Sequence, residues 1–493
     1  MTASLRELLE GRARSNPDDV VLVGPGEQVT WAQLHERAVR VAAGLVRDGV
    51  GVQERVLYLG KNDLRCFDVL FGAALAGAIP TPLNWRLAPR ELAAIAADSG
   101  ATVAFVDPEL GELPVRSVAI GEIGSWWGPA DDPGVAAEPD HIAFQLYTSG
   151  TTGRPKGAMF ANGTNLRVLL DDISVAWGFT PADTSLVCMP LFHMGGVAWA
   201  LAGMARGARG VVVRDFVPAT VLDVMERERV TTAFCVPAML AALCAVPGID
   251  ARALALRQMI YSGSPISTTA LTAAMKALRC DFVQIYGLTE ATGAFAQLPA
   301  ADHDPGGPRA GLLRSAGRPY PWVEVRVDPP GGIGEILTRS EQNLVGYWNQ
   351  PEETARALTP DGWLRTGDLG HLDDEGRIFL VDRAKDLIIT GGENVYPAEV
   401  ENVLAAHPAI AEVAVIGVPD ERWGETVKAI VLAREGATVD ATDVIAFARG
   451  ELARFKCPTS VDVVATLPRT ATGKVVKTEL REPYWRGHDR RIN

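Results

Sequence analysis

The stretch at residues 148–157 reads Thr148-Ser149-Gly150-Thr151-Thr152-Gly153-Arg154-Pro155-Lys156-Gly157. Apolar runs on both sides, His141–Tyr147 and Gly157–Phe160, predict a loop that joins two strands. A Walker loop would instead end in Gly-Lys-Ser/Thr and lead into a helix. Repeated glycine and hydroxyl residues let backbone N–H groups converge on an anion, with the lysine as a point charge. The stretch therefore predicts a different kind of nucleotide-phosphate site, although its composition alone fits a polar surface loop equally well.

Five further motifs follow in order along the chain. They are Tyr286-Gly287-Leu288-Thr289-Glu290, Trp363-Leu364-Arg365-Thr366-Gly367-Asp368, Asp382-Arg383-Ala384-Lys385-Asp386, Gly391-Gly392-Glu393-Asn394-Val395-Tyr396-Pro397-Ala398-Glu399 and Pro468-Arg469-Thr470-Ala471-Thr472-Gly473-Lys474. Together with residues 148–157 they resemble the adenylate-forming (ANL) superfamily of acyl-CoA synthetases, adenylation domains and beetle luciferases. The resemblance runs from about Leu5 to Glu482 and is greatest to the bacterial fatty acyl-CoA synthetases.

The size and charge of the chain limit its class. Its 493 residues exceed the roughly 250–300 at which one core stops growing, so more than one domain is expected. An apolar fraction of 47% with mixed charges is typical of a globular enzyme. The net charge of −13 argues against nucleic acid as a partner and requires local positive groups wherever an anionic substrate binds.

The cysteines and the N-terminus indicate a cytoplasmic protein. The cysteines are Cys66, Cys188, Cys235, Cys244, Cys280 and Cys457, which form no CxxC pair and mostly occupy apolar runs, as reduced core thiols do. The first ten residues predict an amphipathic helix with acidic residues rather than a signal peptide. Whether the chain is a monomer or a homodimer stays open.

One segment, Leu186–Ala205, has the length of a membrane span and carries no formal charge. Pro190, His193 and Gly195-Gly196 interrupt it, so we expect a strand, a turn and a buried helix instead. Peripheral contact with a membrane stays open.

Apolar runs alternate with helical patterns through the first three quarters of the chain. The predicted strands are Arg55–Leu59, Thr102–Val106, Leu186–Met189, Gly210–Val213, Thr232–Val236, Gln258–Ser262 and Asp281–Tyr286, and predicted helices include Cys66–Ala76 and Thr220–Arg227. This alternation predicts an α/β fold of doubly wound, mostly parallel sheets. Short strands with Gly/Pro turns over Val323–Arg339 predict a small β subdomain.

The last hundred or so residues predict a separate small α+β domain, because strands and helices alternate there on their own. The resemblance places the boundary at the second residue after Arg383. It implies an N-terminal adenylate-forming domain at 1–384 and a mobile C-terminal domain at 385–493, with a hinge at Lys385.

The resemblance assigns the loop to the phosphates of ATP and Glu290 to Mg²⁺. The implied phosphate-binding residues are Thr148, Ser149, Gly150, Thr151, Thr152, Gly153 and Lys156. Thr151 would be a second metal ligand, and oxygen ligands suit this hard cation. Thr289 would donate to the α-phosphate. Without the resemblance, Glu290 could equally be an exposed acidic residue at the end of a strand, with no role in binding.

Two further motifs correspond to the adenosine site. The implied adenine pocket consists of Gly263, Ser264, Pro265, Gln284, Ile285, Tyr286 and Gly287. Asp368 would accept hydrogen bonds from both ribose hydroxyls, and Arg383 would approach the same ribose. On sequence alone, Asp368 fits a turn aspartate beside glycine and Tyr286 a core aromatic residue.

Three elements carry the chemistry that the resemblance implies. Lys474 would bridge the attacking carboxylate and the α-phosphate, where electrostatic stabilisation lowers the barrier. Gly391-Gly392 would line the tunnel for the pantetheine of coenzyme A, which any side chain would block. His193 would lie beside the acyl group, where amino-acid-activating relatives have an aspartate nearby. On sequence alone, Lys474 also fits a solvated surface lysine, Gly391-Gly392 a simple turn and His193 a core histidine.

These assignments imply an AMP-forming acyl-CoA synthetase that uses ATP, Mg²⁺ and coenzyme A. The positions that correspond to the acyl pocket are His193, Gly196, Val197, Trp199, Val236, Met239, Gly287, Thr292, Gly293 and Phe295. None is Arg or Lys, so we expect a hydrophobic monocarboxylic acid, such as a fatty acid, rather than malonate.

Two alternatives remain. Acyl-AMP ligases that deliver to a carrier protein resemble this chain but carry an extra insertion, and no surplus segment is evident between Val323 and Lys385. A luciferase-like oxygenase is the second alternative, which no residue here favours.

Overall fold

The computed structural model describes residues 4–148, 155–264, 266–383, 386–390, 393–420, 422–470 and 473–486. The predictions for Ser149, Gly150, Thr151, Thr152, Gly153, Pro265, Lys385, Gly391 and Gly392, and for the Arg383 side chain, lie outside what it describes.

The strands, in chain order, are β1 (Val20–Gly24), β2 (Glu27–Thr30), β3 (Arg55–Leu59), β4 (Ile79–Pro82), β5 (Val103–Val106), β6 (Arg116–Ala119), β7 (Ile142–Thr148), β8 (Lys156–Ala161), β9 (Thr184–Val187), β10 (Arg209–Val212), β11 (Thr232–Cys235), β12 (Gln258–Tyr261), β13 (Asp281–Tyr286), β14 (Ala296–Leu298), β15 (Arg318–Pro319), β16 (Glu324–Asp328), β17 (Gly334–Arg339), β18 (Gly346–Tyr347), β19 (Leu364–Leu372), β20 (Ile378–Arg383), β21 (Ile388–Thr390), β22 (Glu393–Val395), β23 (Ile410–Asp420), β24 (Gly424–Ala433) and β25 (Ser460–Val464).

The α-helices are α1 (Leu5–Ser15), α2 (Trp31–Arg47), α3 (Leu64–Leu75), α4 (Pro89–Ser99), α5 (Ile123–Trp126), α6 (Ser174–Ala176), α7 (Met194–Arg206), α8 (Pro218–Arg227), α9 (Pro237–Cys244), α10 (Thr268–Leu278), α11 (Pro351–Ala357), α12 (Pro397–Leu404), α13 (Ala441–Glu451) and α14 (Lys477–Trp485).

The largest sheet has the strand order β15-β14-β13-β12-β11-β9-β10-β1-β2. Its strands from β13 through β1 pair in parallel, and β14, β15 and β2 add antiparallel edges. A second, fully parallel sheet has the order β4-β3-β5-β6, and β18-β8-β7 form a third, antiparallel sheet. The carboxyl ends of parallel strands share one edge, which is where such sheets place their ligands.

Two smaller sheets complete the chain. The strands β16 and β17 lie in the range predicted for the β subdomain, Val323–Arg339, and β19 and β20, which were not predicted, extend it to the sheet β16-β17-β19-β20. The strands β22-β21-β24-β23 with β25 form the C-terminal sheet. The C-terminal part has its own apolar core, which includes Ile388, Val400, Val415 and Val444. The α/β fold with a large N-terminal and a small C-terminal domain is therefore confirmed.

Most predicted elements are correct to within about two residues. Arg55–Leu59 and Asp281–Tyr286 match β3 and β13 in full. The strand predicted at Leu186–Met189 begins and ends two residues earlier, ahead of a turn that leads into α7. The uncharged segment thus consists of strand, turn and helix, and no helix within the described ranges is long and apolar enough to cross a membrane.

A close backbone approach at Gly317 joins the main sheet to the β subdomain. Ala316 N–H donates to the Ile378 carbonyl oxygen over 2.7 Å, and Ile378 N–H donates to the Gly317 carbonyl oxygen over 2.9 Å. Gly317 has φ 82°, and a Cβ atom placed there would lie 2.0 Å from the Gln297 carbonyl.

We expect Gly317→Ala to lower the midpoint of thermal unfolding, because the methyl group meets rigid backbone. The matched control is Gly376→Ala, which shares a positive φ of 74° but has open space at the Cβ position. Both variants incur a left-handed backbone cost of about 1 kcal/mol, and only Gly317→Ala adds a steric cost. Equal losses in differential scanning calorimetry would contradict the steric argument.

Candidate functional site

The strands β7 and β8 form the hairpin on which the phosphate loop is mounted, as predicted. Thr148 pairs with Lys156 at the point where the loop leaves the two strands. Tyr147 Oη donates to Asp98 Oδ2 over 2.7 Å, and Trp348 N–H donates to the Gly157 carbonyl oxygen over 2.8 Å. Burial and the Asp98 carboxylate raise the pKa of Tyr147, so its hydroxyl stays protonated and both ends of the loop are anchored.

The structure brings the predicted phosphate lysine and the predicted metal glutamate together. Glu290 lies in a 3₁₀ turn, Thr289–Ala291, after β13, and its Oε1 accepts a hydrogen bond of 2.7 Å from Tyr347 Oη. The Lys156 ammonium lies 5.2 Å from the centroid of the Tyr347 ring and forms an ion pair with Glu353. Lys156 is only 8% exposed, so its charge is held in a largely dry place.

Tyr347 and Glu353, which belong to β18 and α11, were not among the predicted site residues. A local signal for α11 exists, because Pro351 occupies its first turn and two acidic residues follow, as is typical of a helix start. That signal gives the helix but does not connect Glu353 to Lys156, which is 197 residues away in the chain.

The carboxylate of Glu290 fits a magnesium ion whose remaining ligands are waters and substrate phosphates. Within the described residues, no group of three or more His, Cys, Asp or Glu could hold a metal by itself. Magnesium usually takes one or two protein carboxylates and completes its shell with waters and substrate phosphates. Glu290, half-buried beside Lys156, is suited to that role.

The described residues of the predicted adenine pocket lie at the carboxyl ends of β12 and β13. These parallel neighbours pair Tyr261 with Gln284, so the loop at 262–264 leaves the sheet next to Tyr286 and Gly287. Tyr286 Oη donates to Asp368 Oδ2 over 2.8 Å, and Asp368 is buried on β19, opposite Arg383 of β20. One hydrogen bond thus links the predicted adenine and ribose motifs.

A buried histidine, His303, contacts Tyr261 at the end of β12, beside the predicted adenine residues. His303 Nδ1 lies 3.0 Å from the Pro299 carbonyl oxygen, which accepts its proton, so Nε2 accepts from Tyr261 Oη, also over 3.0 Å. The same hydroxyl is 3.3 Å from Gln284 Oε1. Burial lowers the pKa of His303, which favours this neutral arrangement. His303 was not among the predicted site residues.

Gln342 organises the turn that follows Glu290. Its Nε2 donates to the carbonyl oxygens of Ala291 and Ala294, each over 2.7 Å, and its Oε1 accepts from Trp322 Nε1 over 2.7 Å. The Gln342 carbonyl oxygen in turn accepts from Asn165 Nδ2 over 2.8 Å and from the Thr292 hydroxyl. Both Gln342 and Asn165 are fully buried, so this network fixes the turn from inside.

His193 begins α7 and is neutral near pH 7. Its Nδ1 accepts the Gly195 N–H over 3.1 Å, which leaves the ring proton on Nε2. Burial lowers the pKa of His193 to about 4, because apolar surroundings disfavour the imidazolium ion. The start of α7 packs near the turn that follows Glu290, since a Cβ atom on Gly293 would lie 3.5 Å from Met194 Cγ. His193 therefore offers a neutral N–H donor.

Trp199, on another face of α7, lies in the core. Its ring packs against Trp177, Phe179 and Phe234, with centroids 4.5–5.9 Å apart, and its Nε1 donates to the Leu186 carbonyl oxygen. Trp199 and Phe295 are both fully buried.

The hairpin that carries Lys474 lies against the N-terminal domain. A Cβ atom on Gly473 would lie 3.4 Å from Ala238 Cβ, in the first turn of α9. Two residues earlier, Val236 Cγ1 lies 3.1 Å from the Cβ position of Gly263 in the adenine loop. Lys474 is thus one residue from a contact with the segment that borders the nucleotide site.

Ion pairs connect this hairpin to the residues that follow the predicted hinge. Lys477 Nζ pairs with Glu401 over 2.8 Å, and Arg481 pairs with Asp386. Lys477 and Arg481 both belong to α14, which follows the hairpin directly. These ion pairs join Asp386 and Glu401 to the helix that follows the Lys474 hairpin.

Comparisons with known proteins agree with this geometry. Residues 9–348 match the family of AMP-binding enzymes, and residues 399–474 match the C-terminal domain of AMP-binding enzymes. A fatty acid–acyl-carrier-protein ligase, ScoC of Streptomyces coeruleorubidus, is 38% identical over 98% of this chain and 96% of its own length. A feruloyl-CoA synthase of Amycolatopsis is also 38% identical, over 96% and 97%. The ATP-bound crystal structure of MatB from Rhodopseudomonas palustris superposes with a TM-score of 0.88 at 29% identity, covering 99% of this chain and all of that one.

We expect Gln342→Leu to destabilise the turn after Glu290. The substitution keeps the volume but leaves two carbonyl oxygens and the Trp322 N–H without partners, at about 1–3 kcal/mol for each buried group. Hydrogen exchange measured by mass spectrometry should show faster exchange at residues 289–295 than in wild type. Gln28→Leu, on the exposed face of β2, is the control. Unchanged protection of 289–295 would contradict the proposed support.

Proposed function

The chain belongs to the family of AMP-binding enzymes and is an adenylate-forming acid–thiol ligase, and on that premise we propose that it activates a hydrophobic monocarboxylic acid and transfers it to coenzyme A. The finer assignments of acid, acceptor, metal and site residues below are part of this proposal.

The observation that carries the choice of acid is the character of the wall around His193. Met194 and Ala198 of α7, which follow His193 in the chain and face Gly293, are both apolar. His193 itself is uncharged near neutral pH. A second carboxylate or an ammonium group of a substrate would be buried there without a counter-ion, which costs several kcal/mol. A single carboxylate with an apolar body avoids that cost.

The adenylation step assigns a role to each charged residue. Lys156 binds the β- and γ-phosphates as a point charge. Glu290 and Thr151 would be the two protein ligands of magnesium. Thr289 donates to the α-phosphate, and Asp368 with Arg383 fixes the ribose. Magnesium supplies neutralisation of the phosphate charge when bound. Lys474 aligns the substrate carboxylate with the α-phosphate, and His193 Nε2–H orients the same carboxylate.

The thioester step requires Lys474 to leave. We propose that the unit bearing Lys474 rotates about Lys385, which carries the Gly391-Gly392 turn to the site and opens a path for the thiol. The ion pair of Arg481 with Asp386 supports this scheme, because it keeps the unit rigid from the hinge to the hairpin.

A carrier protein is the second candidate for the acceptor. The 38% identity to ScoC, named as a ligase of fatty acid to acyl-carrier protein, supports it. The equal identity to a feruloyl-CoA synthase supports coenzyme A. Both acceptors present the same phosphopantetheine thiol, so the apolar acid pocket and the adenylation residues serve either one.

A screen of pyrophosphate release tests the proposal. The panel contains fatty acids of increasing length, ferulate, malonate and glycine, each without acceptor, with coenzyme A, or with a phosphopantetheinylated carrier protein. Release with monocarboxylic acids and thioester formation on free coenzyme A are expected. If thioester formed on the carrier protein and not on free coenzyme A, the carrier protein would be the acceptor.

Lys474→Ala should impair adenylation and spare thioester formation from supplied acyl-AMP. Loss of a positioned charge in the transition state lowers the adenylation rate about 10²–10⁴-fold. ATP–pyrophosphate exchange measures the first step, and thioester release measures the second. Lys276→Ala, an exposed lysine on α10, is the charge-matched control. Equal losses in both steps would refute the separate roles.

The chain length of the acid should determine kcat/KM. Each CH₂ group that enters the pocket contributes about 0.8 kcal/mol, or roughly fourfold in kcat/KM, until the chain reaches the pocket floor. The efficiency should therefore rise along a series of linear monocarboxylic acids and then level. Malonate and glycine should remain poor substrates. If either were the best acid of the panel, the apolar assignment of the wall near His193 would be wrong.

A further inference from the structure

One short segment, residues 346–357, contacts the charged groups of both Lys156 and Glu290. Within β18, Tyr347 donates to Glu290, and within α11, Glu353 pairs with Lys156. Both contacts come from residues 346–357, and the Tyr347 ring lies between the two partners, 5.2 Å from the Lys156 ammonium. Neither Tyr347 nor Glu353 has a role in the steps described above.

We propose that Glu353 is a positioning residue that occupies the place of a nucleotide phosphate at Lys156 in the free enzyme. The inference rests on the proposed function, in which Lys156 binds the phosphates of ATP. On binding, the ammonium exchanges the Glu353 carboxylate for phosphate oxygens, and the affinity for ATP is the difference between these two interactions.

The burial of Lys156 gives Glu353 this role. The lysine side chain is 11% exposed and that of Glu353 is 15% exposed, so an ammonium without a counter-ion would lie in a poorly solvated place. The Glu353 carboxylate therefore supplies the counter-ion that Lys156 needs before ATP arrives. The side-chain contact with Lys156 also lowers the pKa of Glu353, so it is ionised near neutral pH.

The exchange leaves Glu353 with another partner. Arg356, one turn further along α11, also pairs with Glu353, and the arginine side chain is 65% exposed. When Lys156 turns to a phosphate, the Glu353 carboxylate keeps this guanidinium at the solvent boundary. No buried charge is left unpaired in either state.

Tyr347 remains in place during the exchange. Its hydroxyl holds Glu290, and its ring face attracts the ammonium through a cation–π contact. Glu290 thus keeps its orientation while the anion at Lys156 changes.

Isothermal titration of the full chain with Mg·ATP, and separately with magnesium pyrophosphate, tests the proposal without acid or coenzyme A. Glu353→Gln removes the competing charge and should tighten both ligands about 5- to 20-fold. The KM for ATP should fall by a similar factor, with the kcat of adenylation within about twofold of wild type. Glu352→Gln is the matched control, because this neighbouring carboxylate is 87% exposed and lies 3.8 Å from Arg356. It should leave both affinities unchanged.

The alternative outcomes are distinct. Unchanged or weaker binding by a folded Glu353→Gln variant would overturn the proposal and leave Glu353 as a structural support of Lys156. If that variant loses its thermal transition, Glu353→Asp serves instead, since it keeps the charge but withdraws it by one methylene group. It should tighten pyrophosphate about 2- to 5-fold, and no change would again overturn the proposal. If no acid of the panel caused pyrophosphate release, the proposed function would be refuted. The titrations would still compare the affinities of wild type and Glu353→Gln for Mg·ATP and magnesium pyrophosphate.

Discussion

The neutralisation of Lys156 is the constraint on which the phosphate site depends. A chain with a net charge of −13 repels anions at long range, so any attraction of ATP must come from a few local cations. Lys156 is nearly buried, and a buried cation needs an anion at all times. Glu353 meets that need in the free chain, and Tyr347 lies beside the pair, with its ring 5.2 Å from the Lys156 ammonium and its hydroxyl donating to Glu290.

Rigidity around the site comes from buried amide and hydroxyl groups rather than from charge. Gln342 ties the turn after Glu290 to the core with three hydrogen bonds, and Tyr286 joins β13 to β19 through Asp368. Uncharged side chains can be buried at lower cost than ions when every donor and acceptor is satisfied. The few charged groups can then exchange partners while the frame around them stays fixed.

The sequence predicted the elements that depend on local pattern and missed the contacts that depend on folding. The apolar runs around residues 148–157 predicted β7 and β8, and the adjacency of β12 and β13 follows from the alternation of strands and helices. The partners of Glu290 and Lys156 are 57 and 197 residues away, and no local periodicity connects them. Gln342 likewise stands in an ordinary polar stretch, and only its burial shows what it supports.

The contacts of the C-terminal hairpin determine which parts of the chain would move together in the proposed rotation. Gly473 packs on Ala238, and Val236 of the same segment packs on Gly263, so the hairpin with Lys474 lies beside the start of α9, next to the predicted adenine loop. The ion pairs of Lys477 and Arg481 tie α14, which follows the hairpin, to Glu401 and Asp386. A motion of the hairpin together with α14 alone would break both ion pairs. A motion that keeps them carries Glu401 and Asp386 along, which is the reason for proposing that the C-terminal unit rotates as a whole.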